Sequence, residues 1–169
     1  RTSQRAPWRY SSSGSLVRGL VINRFAGSGI EINGSGYHTL QGNWIGLDAT
    51  GAAAAANVEN GLYATASVGN LIGGTSPTER NVISGNGYRG IFVVDVDGST
   101  IAGNYIGTDA GGSADINGNA VVLGQSGVVL DAGSDGNLIG GTTPASRNVI
   151  SGNNHFGVEI GGGAQNNLV

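Results

Sequence analysis

The sequence has no cysteine, no lysine and no methionine. Without Cys there are no disulfides, no thiol nucleophile and no thiolate metal ligand. A fold of this size needs no such staples, so secretion stays open. Without Lys there is no lysine base and no Schiff-base chemistry. The lack of Met, with Arg at residue 1, predicts that the chain is a piece of a longer protein. Charged residues make up only 11% of the chain, which excludes a charge-rich disordered tail. Eight Arg against eleven acidic residues give a formal net charge of -3. That leaves no basic patch of the density nucleic acid requires. No apolar run approaches ~18 residues, so no membrane-spanning helix is expected.

What the sequence does have is glycine, 33 of 169 residues, with 17 asparagines and three prolines. Gly costs roughly 1 kcal/mol per helical site against Ala, so long helices are excluded. Gly does not fall at every third position, which excludes collagen. The length suits one domain with a single core.

Self-comparison exposes the organisation. Residues 70–93 read NLIGGTSPTERNVISGNGYRGIFV and residues 137–160 read NLIGGTTPASRNVISGNNHFGVEI, with 15 of 24 positions identical at an offset of 67. GNWIGLDATG at 42–51 and GNYIGTDAGG at 103–112 share seven of ten. A Gly followed by an alternating apolar run occurs at Gly29, Gly61, Gly90, Gly127 and Gly157, at intervals of 32, 29, 37 and 30. Alternation at every second residue is the strand period. The shortest copy holds three such runs, Leu16-Val17, Leu20-Val21-Ile22 and Ile30-Glu31-Ile32. Three short strands with sharp corners make one turn of a triangular coil. Stacked coils pair like strands in parallel and bury a continuous aliphatic column.

Phrases such as GNYIGTD and RNVISGN resemble the Gly- and Asn-rich repeats of large bacterial extracellular proteins, within the right-handed parallel β-helix proteins of the pectin-lyase-like superfamily. The resemblance covers about residues 14–169. It implies an all-β solenoid on the outside of the cell. It does not select among the superfamily's lyases, hydrolases, epimerases and adhesin-like stalks.

The expected fold is therefore all-β, a right-handed parallel β-helix over 14–169 with about five coils of three short strands each. First strands are placed near Leu16, Leu40, Leu71, Ile101 and Leu138, and Leu168-Val169 opens a sixth coil. At ~4.8 Å per coil the rod is about 24 Å long. Corner loops fall at 47–58, 75–80 and 108–118. Asn43 and Asn104 follow first strands, and Asn86 and Asn153 follow second strands. They are expected to form amide ladders at two corners. Residues 1–13 break the repeat and form an arm or a cap, with Trp8 and Tyr10 available to cover the first coil. Open strand edges at the two ends leave end-to-end self-association as a partner expectation.

Candidate chemistry follows from stacking. Glu31, Tyr63, Phe92, Val129 and Glu159 form one outward column, with Tyr63 and Phe92 about 5 Å apart, near stacking range. Trp44 and Tyr105 match one another on another face. These four aromatics are candidate contacts for sugar rings, against the alternative that they pack on loops. Asp48 and Asp109 lie in matching loops about 9.6 Å apart, too far for a retaining carboxylate pair and at the upper edge for an inverting one. Their alternative role is to cap loop amides. Asp95, Asp97 and Asp131, with Asp135, follow third strands and are candidate ligands for Ca2+, though no calcium-loop spacing is present. Arg80 and Arg147 repeat with the coil, which favours a structural role. Arg89 does not, so Arg89 with Tyr63, Phe92, Asp95 and Asp131 is the place to look for catalysis. His38 and His155 are too far apart for a metal pair.

The favoured expectation is a non-catalytic extracellular or cell-surface module for adhesion or glycan contact, within a larger protein. The alternatives are a polysaccharide lyase or glycoside hydrolase, calcium-dependent or not, and a self-assembling fibre unit.

Overall fold

The computed structural model describes residues 12–113 and 125–169. Most of the expected arm at 1–13, with Trp8 and Tyr10, and the end of the 108–118 loop lie outside the described residues. Within them there is no α-helix. There are fifteen short strands and one 3-10 turn at Pro144–Ser146, and no helix is long and apolar enough to cross a membrane.

The strands run in triplets. Coil 1 is β1 (Leu16–Arg18), β2 (Val21–Ile22) and β3 (Ile30–Asn33). Coil 2 is β4 (Thr39–Gln41), β5 (Trp44–Ile45) and β6 (Leu62–Val68). Coil 3 is β7 (Leu71–Gly73), β8 (Val82–Ile83) and β9 (Ile91–Asp97). Coil 4 is β10 (Thr100–Ala102), β11 (Tyr105–Ile106) and β12 (Val128–Asp131). Coil 5 is β13 (Leu138–Ile139), β14 (Val149–Ile150) and β15 (Val158–Ile160). Every third strand pairs, so three five-stranded sheets form. All strand pairings are parallel and in register. Leu168 bridges Leu138 and starts a sixth coil. The molecule is a parallel β-helix.

Alternation decides which side chains enter the column. Leu40, Ile72 and Ile101 enter from the first sheet, Ile45, Ile83 and Ile106 from the second, and Leu62, Ile91 and Val128 from the third. All nine are essentially inaccessible. Each such Ile or Leu contributes roughly 1.5–3 kcal/mol on burial. Val17, Ile22 and Ile30 at one end, and Ile150 and Val158 at the other, are half-buried against the same column.

Polar side chains close the corners in three ladders. At the corner before the second strand, the backbone N–H of Asn43, Asn81 and Asn104 each donates to the side-chain oxygen of the next Asn, at 3.0, 3.2 and 2.9 Å, ending on Asn148. The side-chain amides repeat the link at 3.0, 3.0 and 3.1 Å. A second ladder joins Asn57 to Asn86 at 2.9 Å, with Asn153 two coils further on. A third precedes the first strand, from His38 through Asn70, Ser99 and Asn137 to Asn167. The two ladders expected from Gly-Asn pairs are present. Asn57, Asn81, Asn148 and the whole third ladder are additional. An Asn amide donates and accepts along the stacking axis, so it extends the sheet hydrogen bonding around a corner where the backbone turns away.

The alanine run 52–56 forms no helical turn. Ala54 bridges Leu47 antiparallel, and the loop lies against coil 4, where Ala110 N–H donates to Gly51 C=O at 3.0 Å.

Candidate functional site

The outer face of the third sheet carries the column Glu31, Tyr63, Phe92, Val129 and Glu159, one residue per coil, as register mates. The period-two pattern sets this column, and no loop is needed to position it. Tyr63 and Phe92 have ring centroids 5.5 Å apart and planes tilted by 32°. Val129 above them is buried at 3% exposure, which bounds the aromatic pair on that side.

The segment before each third strand builds a second wall. Arg89 N–H donates to the Asn60 side chain at 3.3 Å, and Gly61 N–H donates back to Arg89 C=O at 2.9 Å. Tyr88 N–H donates to Glu59 C=O. These bonds stack Glu59-Asn60 on Tyr88-Arg89. They turn the Arg89 guanidinium over the Phe92 ring, 4.3 Å from its centroid. Glu59, Asn60, Tyr63, Tyr88, Arg89 and Phe92 then line an open groove of about 250 Å³. Arg89 Nε is shielded from solvent and has no hydrogen-bond acceptor. The Glu59 carboxylate is exposed and receives the Ser28 hydroxyl at a long 3.4 Å.

Two features of this groove differ from the expectation. Arg89 lies over one face of Phe92, and Tyr88 adds aromatic surface beside Tyr63 and Phe92. Glu59, Asn60 and Tyr88 also belong to the groove, although the strand pattern alone did not single them out. Their signal is the pair of residues before each repeat Gly: Gly27-Ser28, Glu59-Asn60, Tyr88-Arg89, Gln125-Ser126 and His155-Phe156.

The other candidates are dispersed. Asp95 is exposed, with φ of 55°. It shares its corner with Ala66 and Ala132, which also have positive φ. Asp tolerates that left-handed backbone better than most residues, and this explains its presence there. Asp131 is the register mate of Val94, and its carboxylate accepts its neighbour Ala132 N–H at 2.8 Å. The Asp97 carboxylate accepts Asp135 N–H at 2.9 Å, and that of Asp135 accepts Gln165 N–H at 2.7 Å. Asp97 and Asp135 thus staple successive coils. Among the described residues no three acidic or histidine side chains gather where a metal ion could sit. Neither Asp95 nor Asp131 lines the groove with Arg89.

Asp48 closes its own loop. Its carboxylate accepts the Thr50 hydroxyl at 2.7 Å and the N–H groups of Thr50 and Ala53. The Thr50 hydroxyl, followed by the backbone donors, holds its pKa below the usual Asp value. The Asp109 carboxylate closes the matching loop by accepting Ser113 N–H at 2.9 Å.

Trp44 and Tyr105 face outward on the second sheet with Val82 between them. Each is closed over by a glycine of its own loop. A Cβ on Gly51 would stand 3.0 Å from the Trp44 ring, and one on Gly112 would strike the Tyr105 ring. Both glycines have φ near 75°, so neither site admits another residue without strain. The Arg80 guanidinium lies 4.0 Å over Tyr105, and its Nε donates to Gly103 C=O, a structural tie.

His38 is buried in the third ladder. Its Nδ1 accepts Ser15 N–H at 3.3 Å and its Nε2 lies 3.1 Å from the Ser35 hydroxyl. The His155 and Phe156 rings have centroids 3.7 Å apart and planes tilted by 51°.

No family model, no curated protein and no solved structure matches the chain.

Proposed function

We propose that the chain is a non-catalytic module that contacts a glycan through the groove on the outer face of its third sheet. In this reading it belongs to a larger secreted or surface protein of the pectin-lyase-like type. The observation that carries the proposal is the combination in one groove of open tyrosine faces with a guanidinium and a carboxylate that do not pair with each other. Sugars present apolar C–H faces edged by hydroxyls. Small-ligand sites match such molecules with aromatic surface and a few placed polar groups. The sheet behind the groove is rigid, so binding costs little ordering of the protein. Hydrolysis by a carboxylate pair would need a second carboxylate at the sugar, and Glu59 is the one carboxylate among the residues lining the groove.

The test is a panel of polysaccharides assayed for retention and for new reducing or unsaturated ends, with and without chelator. Retention without product is expected, unchanged by chelator. Tyr63→Ala should weaken it about tenfold, the scale of losing one aromatic anchor. Sustained turnover of any member would replace this reading with the lyase or hydrolase alternative.

A further inference from the structure

We infer that the groove selects a neutral hexose unit and discriminates against uronates. The inference rests on the glycan-contact reading and deepens it. Arg89 is held on Phe92 with its Nε shielded from solvent and unpaired. Stacking on the ring leaves that Nε without an acceptor, because a ring face takes charge but offers no lone pair in the guanidinium plane. Glu59 lines the same groove, and its carboxylate has one long hydrogen bond, from Ser28. The groove therefore presents a guanidinium and a carboxylate that do not form an ion pair with each other.

The chemistry that satisfies both at once is a pair of neighbouring hydroxyls. Each hydroxyl donates one hydrogen bond and accepts others, so one can accept from Arg89 while the other donates to Glu59. A carboxylate on the ligand satisfies Arg89 alone. It also meets repulsion from Glu59 and from Glu31, which stands one coil away beside Tyr63. The formal charges of Arg89 and Glu59 cancel, so the pair favours an uncharged, hydroxyl-rich ligand. Tyr63 supplies the surface on which its ring lies.

The closing experiment uses the full chain. Neutral glucan, mannan and galactan are each offered unmodified and after oxidation of their C6 carbons to carboxylates, at low salt. For the polymer that is retained, the oxidised form should bind about tenfold more weakly. Added salt should narrow that gap, because it is a charge effect. Glu59→Gln removes the charge, so it should narrow the gap between the neutral and the oxidised polymer. Arg89→Gln should lose the neutral polymer about tenfold, with an unchanged thermal transition as the check on folding. Equal or tighter binding of the oxidised polymer, or a gap untouched by Glu59→Gln, overturns the selectivity and leaves the glycan reading standing. Retention of neither form of any polymer removes the glycan reading and the inference with it.

Discussion

A buried asparagine in this fold does the work of a length of sheet. Asn81 has no solvent exposure and makes four hydrogen bonds through its side chain. It donates to Leu40 C=O at 2.8 Å and to the Asn104 side chain at 3.0 Å, and it accepts from Asn43 N–H and from the Asn43 amide, both at 3.0 Å. Asn81→Ala leaves these partners dry and unpaired. Each orphaned buried group costs about 1–3 kcal/mol, so a net loss of about 3–5 kcal/mol is expected. Asn81→Asp should be at least as costly, since it buries a charge and gives up two donors. Asn154→Ala, at an exposed position, should be near neutral. Urea unfolding of the three variants checks the order. Some of this was legible in the sequence. Asn43, Asn86, Asn104 and Asn153 announce themselves by a preceding Gly. Asn81 and Asn148 follow Arg, Asn57 follows Ala, and their roles depend on which residue sits above them. The third ladder had a signal in the recurring Asn-Leu at 70, 137 and 167. Its two other rungs are His38 and Ser99, which satisfy the same geometry with a different side chain and so hide the repeat.

At the scale of elements, strands repeat and loops vary. Leu16, Thr39, Leu71, Thr100 and Leu138 are register mates although 23, 32, 29 and 38 residues separate them. Alternation identified the strands and the outward column, because period two survives any loop length. It could not say which residues of the intervening segments meet. That is why Asp95, Asp97 and Asp131 looked like one cluster in the sequence. The structure divides them between a left-handed corner, an inter-coil staple and a local turn. The loop at 47–55 gives a prediction of its own. Asp48 holds it by accepting from Thr50 and Ala53, and these bonds depress its pKa. A depressed folded-state pKa means that the loop is stabilised above the unfolded Asp value. That stabilisation is lost as pH falls through the folded value, so the effect appears below about pH 4. Amide exchange at Thr50 and Ala53 should speed up there, and the environment of Trp44, on which Gly51 packs, should change with it. In Asp48→Asn the side-chain oxygen remains without titrating. Its loop should show no acid transition of this kind, and a transition surviving in that variant would assign the effect to another group.

Over the whole molecule, each coil rests only on its neighbours, so stability is a sum over coils and their interfaces. Coil 3 has a coil on both sides. Ile83 at its centre is fully buried, while Ile22 in coil 1 is half-buried. Ile83→Ala should therefore cost about 3–5 kcal/mol and Ile22→Ala about 1 kcal/mol, because the cost follows the cavity left behind. The terminal coils also expose apolar groups. Leu16, Leu20 and Phe25 are open at one end, and Ile160, Leu168 and Val169 at the other. Two corners of coil 1 place Leu20 and Phe25 where later coils place Asn, and their backbone N–H groups donate inward to Asn43 and Asn57. No asparagine oxygen at these two corners faces outward from coil 1. A further coil stacked there would have no amide acceptor to continue either ladder, whereas the last coil still presents Asn148, Asn153 and Asn167. The first coil thus ends two ladders at Leu20 and Phe25. Amide exchange read coil by coil should show protection highest in coil 3 and falling toward both ends, since opening starts where one neighbour is missing. Repeating the measurement at rising protein concentration tests the end-to-end association expected from open edges. Stacking of copies would raise protection in coils 1 and 5 and leave coil 3 unchanged. The missing acceptors at Leu20 and Phe25 stand at the junction where coil 5 of one copy would meet coil 1 of the next, so they predict little gain in either. A concentration-dependent rise in coils 1 and 5 would show that apolar contact at the ends outweighs the interrupted ladders.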